Sequence, residues 1–137
     1  MAHTKHDKDD RKTRMNLMIV GGGGREHALL EQLRKNPRVE KIYALPGNGG
    51  MAAHAECVPI LATDIDGIVA FAMEHAIDFA VIGPDDPLIA GVCDRLRAVG
   101  IRCFGPSKSA AAIEGSKSFA KNLMRKYGIP TADYAVF

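Results

Sequence analysis

Three observations predict an α/β fold, a Rossmann-like open parallel sheet of about five strands covered by helices on both sides. Short apolar runs alternate with amphipathic stretches from Leu17 onward. Each clear run closes in a glycine- or proline-bearing turn. The strand–helix order then repeats along the chain, and parallel strands need such crossover helices between them.

The elements follow in order. Leu17-Met18-Ile19-Val20 is a continuous apolar run that leads straight into four glycines, the pattern of a buried parallel strand ending in a tight turn. Glu26 to Lys35 places Ala28, Leu29 and Leu33 on one helical face. Lys41 to Leu45 reads as a second strand closed by Pro46-Gly47-Asn48-Gly49-Gly50. Cys57 to Leu61 reads as a short third strand, confined by Pro59 to an edge or an irregular run. Thr63 or Asp64 caps a helix with acids in its first turn. Phe79-Ala80-Val81-Ile82 is the clearest strand and ends in Gly83-Pro84. Leu88 to Val99 is amphipathic and closes at Gly100, Ile101 to Phe104 forms the last strand, and Ser116 to Tyr127 forms a final helix stopped by Gly128 and Pro130.

Composition excludes several classes of function. The chain has 137 residues, 47% hydrophobic and 25% charged, which suits one globular domain with a real core. The net charge is only +2, the basic residues are interleaved with acids, and tryptophan is absent, so no nucleic-acid partner is expected. No apolar run reaches the roughly 20 residues that span a bilayer, so no membrane partner is expected. The three cysteines Cys57, Cys93 and Cys103 are odd in number and show no C-x-x-C spacing. They read as small buried thiols in a reducing cytoplasm. Met1 to Arg14 is crowded with charges and offers nothing large to bury beyond Met1, so a flexible extension is expected over 1–14. His3 and His6 within it read as solvated.

Ligands of open parallel sheets bind beyond the carboxyl ends of the strands. There the sequence places Gly21-Gly22-Gly23-Gly24-Arg25-Glu26-His27. Glycines let backbone approach a ligand closely, the following helix presents unpaired N–H groups, and Arg25 adds a fork of donors suited to phosphate. A phosphate-bearing ligand is the inference. The dinucleotide fingerprint G-x-G-x-x-G fails in either register, because Glu26 or His27 falls at the last glycine position. The Lys-Ser/Thr ending of a P-loop is missing as well.

At this point the residues resemble a family. Gly21 to Leu29 is similar to the opening motif of phosphoribosylamine–glycine ligases, and Pro46 to Gly50 resembles their second loop. Ile82 to Leu88 resembles the third loop and Phe104 to Ser107 the fourth. Ile113 to Lys117, followed by Gly128 to Ala132, matches the linker into an ATP-grasp domain. The resemblance runs from Met15 to Phe137 and covers roughly the first third of such an enzyme.

It implies an ATP-dependent ligase that joins 5-phosphoribosylamine to glycine through a glycyl phosphate, with Mg2+ or Mn2+ assisting. In that picture Gly22, Gly23, Gly24, Arg25 and Glu26 cradle the phosphate end of the substrate. Asn48, Gly49, Pro84 and Asp85 line the ribosylamine side, and Lys117 reaches the phosphates of ATP. The same resemblance implies a substrate-binding domain over 15–113 and the start of an ATP-grasp domain over 114–137. A separate ATP-grasp polypeptide is then a possible partner, and the isolated chain is expected to be inactive. Two positions depart from the family's pattern: Asp85 stands where Glu is usual, and Gly22 where Asn is frequent. A second function class stays open, a phosphosugar-binding module without catalysis. His54 near Glu56 and His75 near Glu74 have no further partner at ligand spacing, and Ser107 and Ser116 lack a nucleophile-elbow context.

Overall fold

The computed structural model describes residues 14–135. The expected flexible extension over 1–14 lies, Arg14 apart, outside the described residues, as do Val136 and Phe137. Strand β1 (Met15–Gly21) leads into helix α1 (Gly24–Leu33), and β2 (Val39–Pro46) leads through a one-turn 3-10 helix (Met51–Ala53) into β3 (Glu56–Cys57). Helix α2 (Ile65–Glu74) precedes β4 (Phe79–Ile82). Helices α3 (Asp85–Ile89) and α4 (Val92–Ala98) precede β5 (Arg102–Phe104), and α5 (Lys108–Gly115) and α6 (Lys117–Lys126) follow it.

The five strands lie in the order β3-β2-β1-β4-β5, and every pairing is parallel. The expected α/β fold is what forms. Growth of the sheet starts at β1, runs through β2 and β3 to one side, then jumps back to add β4 and β5 on the other. The loops after β1 and β4 therefore leave in opposite directions, which opens a crevice at their carboxyl ends.

Strand β1 is central because both of its faces are apolar. Leu17 and Ile19 join Leu30, Ile42, Ala44, Met51 and Val81 on the side of α1. Met18 and Val20 join Ile68, Phe71, Val92 and Leu96 on the side of α2 and α4. The period-two alternation of a strand thus feeds two cores from one run of sequence.

Three expectations need correction. The third strand pairs only at Glu56 and Cys57: the Val58 N–H still bonds the Ala44 carbonyl of β2, and Pro59 has no N–H with which to continue. The single helix expected from Leu88 to Val99 is two helices, broken at Gly91, whose φ of 91° no helix accommodates. Helix α5 was not expected at all: it fills what reads as a linker, capped by the Ser107 side chain on the Ala110 N–H and buried at Ala111.

Candidate phosphate-binding site at the switch point

The loop after β1 turns at Gly21, whose φ is 122°, and enters α1 with Gly23 as the cap residue. Gly23, Gly24 and Arg25 are exposed, and a Cβ added at Gly24 would meet nothing within 4 Å. The first turn of α1 carries N–H groups that a helix cannot satisfy internally, and its residues Gly24 and Arg25 are exposed. Among the described residues the Arg25 side chain makes no hydrogen bond or ion pair, so its guanidinium is available beside them.

Glu26 behaves differently from its neighbours. It is only 4% exposed, the one buried charged residue among those described. Its Oε2 accepts the Gly23 N–H at 2.7 Å, while Oε1 is buried with no hydrogen-bond partner. Three glycines make room for this carboxylate. A Cβ at Gly83 would lie 1.9 Å from Oε1, one at Gly23 2.8 Å from Oε2, and one at Gly21 2.7 Å from Cγ. The loop after β1 and the loop after β4 thus close on the same side chain.

The second loop is tied to the first. Asn48 donates from Nδ2 to the Gly22 carbonyl at 2.9 Å and accepts the Met51 N–H on Oδ1 at 2.9 Å. Gly47 donates its N–H to the Gly21 carbonyl at 3.1 Å, and the Leu45–Pro46 peptide before it is cis. Glycine at position 22 suits this closeness, since a Cβ there would lie 2.4 Å from the Gly47 carbonyl oxygen. Gly49 is exposed and faces open space.

Pro84 caps α3 and lies against Gly21, and half-buried Asp85 opens the helix in its first turn. The structure therefore gathers Gly22, Gly23, Gly24, Arg25, Glu26, Asn48, Gly49, Pro84 and Asp85 around the ends of β1, β2 and β4. Lys117 is elsewhere in the chain order, at the start of α6, where the Ser116 side chain caps the Phe119 N–H; no hydrogen bond or ion pair links Lys117 to the loops.

Sequence reasoning missed how Glu26 and Asn48 are used. Asn48 spends both ends of its amide joining two loops, and Glu26 is enclosed rather than presented. A signal for Glu26 was available: it stands three residues after the cap position, where a carboxylate reaches back to the cap N–H.

Beside this site, on the flank of α1, Glu31 Oε2 accepts from Arg34 Nε at 2.8 Å, and Oε1 lies 3.9 Å from Nε2 of both His27 and His54. The Arg34 hydrogen bond is the main reason that the Glu31 carboxyl sits below its ordinary 4.5; desolvation opposes it, and the positive charge of Arg34 and of the two imidazoles, when protonated, adds to the lowering. On the other side of the sheet, burial and the neighbouring Cys103 thiol push Cys93 up to about 12, which makes it an inert core thiol. Among the described residues no group of three or more His, Cys, Asp or Glu is placed to hold a metal ion.

A family model described as "Phosphoribosylglycinamide synthetase, N domain" matches residues 15–114. The phosphoribosylamine–glycine ligase of Caldanaerobacter subterraneus subsp. tengcongensis is 49% identical over 123 residues, 90% of this chain and 30% of the relative. That of Agrobacterium fabrum is 51% identical over 123 residues, 90% of this chain and 29% of the relative. The chain therefore spans about 30% of the length of the curated relatives it matches. Among solved structures, the phosphoribosylamine–glycine ligase of Thermotoga maritima superposes with a TM-score of 0.62 at 28% identity, over 86% of this chain and 26% of that one. The N5-carboxyaminoimidazole ribonucleotide synthetase of the same organism shares the fold, with a TM-score of 0.68 at 18% identity, over 87% of this chain and 32% of that one.

Proposed function

Because the chain belongs to the phosphoribosylglycinamide synthetase N-domain family, we propose that it supplies the phosphosugar-binding part of an ATP-dependent ligase that joins 5-phosphoribosylamine to glycine. The observation that carries this reading is the open first turn of α1, with exposed Gly23, Gly24 and Arg25 at the switch point of the sheet. A phosphate seated there takes hydrogen bonds from the unpaired N–H groups and from the guanidinium, all charge-assisted. Asp85 faces the sugar from the loop after β4, and Asn48 holds the second loop in register with the first.

In the ligase reaction ATP phosphorylates the glycine carboxylate, and the amine of the phosphosugar displaces phosphate from the resulting acyl phosphate. Lys117 stands at the N-terminus of α6, where its charge and the helix dipole favour a nucleotide phosphate. Mg2+ or Mn2+, when bound, would lower the charge on that phosphate; among the described residues no group of three or more His, Cys, Asp or Glu is placed to hold one. We place the substrate-binding unit at 15–113 and the start of an ATP-grasp unit at 114–137, with the remainder of an ATP-grasp unit completing the site. No described helix is long and apolar enough to cross a membrane, and a cytoplasmic setting suits both the chemistry and the free thiols.

Calorimetry with glycinamide ribonucleotide tests this. Substitution Arg25→Ala should weaken binding by about 1.5–3 kcal/mol, the range for a hydrogen bond to a charged group. Equal affinity for the two proteins would take Arg25 out of the site. The other reading is a phosphosugar-binding module without catalysis. The two separate in an assay with ATP, Mg2+, glycine and fresh phosphoribosylamine: product formed once an ATP-grasp polypeptide is added supports the ligase.

A further inference from the structure

The proposed phosphosugar site leaves one group unexplained. A carboxylate within a phosphate-binding loop repels the ligand's phosphate, and a buried carboxylate oxygen without a partner has lost its hydration with nothing in return. Glu26 combines both liabilities, and the glycines at 21, 23 and 83 keep the space it occupies clear. Capping accounts for only half of it. Oε2 takes the Gly23 N–H, and a single-acceptor side chain would do that equally well. Oε1 is the surplus, and it lies between the loop after β1 and the loop after β4, where the sheet opens its ligand crevice.

We propose that Glu26 is a specificity-determining residue: its unpartnered Oε1, enclosed between the two glycine-lined loops of the switch point, accepts an N–H or O–H of the sugar part of the ligand. This rests on the phosphosugar reading of the same site and adds the ligand's orientation. The donor-bearing end of the sugar lies over the β1–β4 crevice, and the phosphate lies outward, over Gly24 and Arg25. Charge requires this separation, since two anions sharing a desolvated pocket repel strongly. Access to Oε1 takes a slight parting of Gly83 and Pro84 from Gly21. The glycines at 21 and 83 and the Pro84 ring lie next to the Glu26 side chain there. A protein that binds inorganic phosphate at Arg25 then gains a further share of its affinity for a phosphorylated sugar through a donor that reaches Glu26.

The test uses the full chain, calorimetry with inorganic phosphate and with ribose 5-phosphate, and the variant Glu26→Gln. Glutamine keeps the size, but the Gly23 N–H claims its one amide oxygen, so an NH2 donor replaces the acceptor facing the crevice. The expected result is a loss of about tenfold or more in ribose 5-phosphate affinity while inorganic phosphate binds as tightly as before, or tighter. Unchanged ribose 5-phosphate affinity in a folded variant would overturn the proposal. Equal loss of both ligands would also overturn it, by showing that Glu26 only shapes the loop. If Glu26→Gln fails to fold, Glu26→Asp carries the test: it keeps the charge and withdraws the oxygens by one methylene, and the same selective loss is expected. Failure of the unsubstituted chain to bind either ligand would instead sink the phosphate site itself, a result separate from any behaviour of Glu26.

Discussion

Helices α1 and α6 are each ten residues long, and each starts from a small capping residue, Gly23 in one and Ser116 in the other. α1 buries Leu30 completely against the sheet and encloses Glu26 between two loops. α6 buries none of its residues. Phe119 remains 45% exposed, and Tyr127 and Ile129 just beyond the helix are 66% and 49% exposed. The chain that follows folds back on α6 through polar contacts: Lys121 bonds Thr131 and the Ala132 carbonyl, and the Tyr134 hydroxyl donates to Asn122 at 2.5 Å. An amphipathic pattern therefore states only that one face wants cover. Which surface supplies the cover is a property of the whole fold, and here the sheet supplies it for α1 alone.

The widest gap between the two helices should appear on truncating one apolar residue in each. Leu30→Ala should cost about 2–5 kcal/mol of unfolding free energy, the range for a large side chain removed from a tight core. Phe119→Ala should change it by no more than about 0.5 kcal/mol, as for an exposed position. Chemical denaturation of both variants checks this, and a large effect at Phe119 would show that α6 is packed against something in solution.

A smaller effect sharpens the account of α1. Gly83→Ala puts a methyl where Glu26 Oε1 lies, and overpacking of that kind costs about 1–3 kcal/mol. In a Glu26→Ala background the added methyl has room, so the two substitutions should be non-additive, with the double variant more stable than the sum of the single effects predicts. A double-mutant cycle in denaturant measures the coupling; strict additivity would mean that the two loops do not close on Glu26.

The smallest effect lies on the exposed flank of α1. Arg34 holds the Glu31 carboxyl below its ordinary 4.5, so the charged form favours the folded state. That contribution is fully present above 4.5 and is lost as the pH falls through the depressed folded value. The melting temperature of Glu31→Gln should accordingly fall slightly short of the parent's at neutral pH. The gap should close on acidification below 4.5, since the parent then carries the same neutral side chain.

The sheet was legible because β1 and β4 are apolar on both faces and end in glycine turns, a pattern with few alternatives. The break at Gly91 was less so: a glycine inside an amphipathic run reads as a tolerated residue until its φ is known. Helix α5 was hidden because Ser107 through Gly115 buries one small residue, Ala111, and shows little periodicity. At the site the exposed groups were legible, since Arg25 and the glycines act through chemistry that is visible in their residue types. What Glu26 and Asn48 do depends on contacts across sequence separations, with Gly83 in one case and Gly22 in the other. No local pattern carries such contacts.

Backbone amide NMR of the full chain during titration with ribose 5-phosphate tests the central claim most directly. The phosphate site at the switch point predicts saturable shifts at Gly22, Gly23, Gly24 and Arg25, smaller ones at Asn48, Gly83 and Asp85, and none along the middle of α6 from Phe119 to Arg125. Shifts that left the turn after β1 unmoved, or that centred on α6, would contradict it.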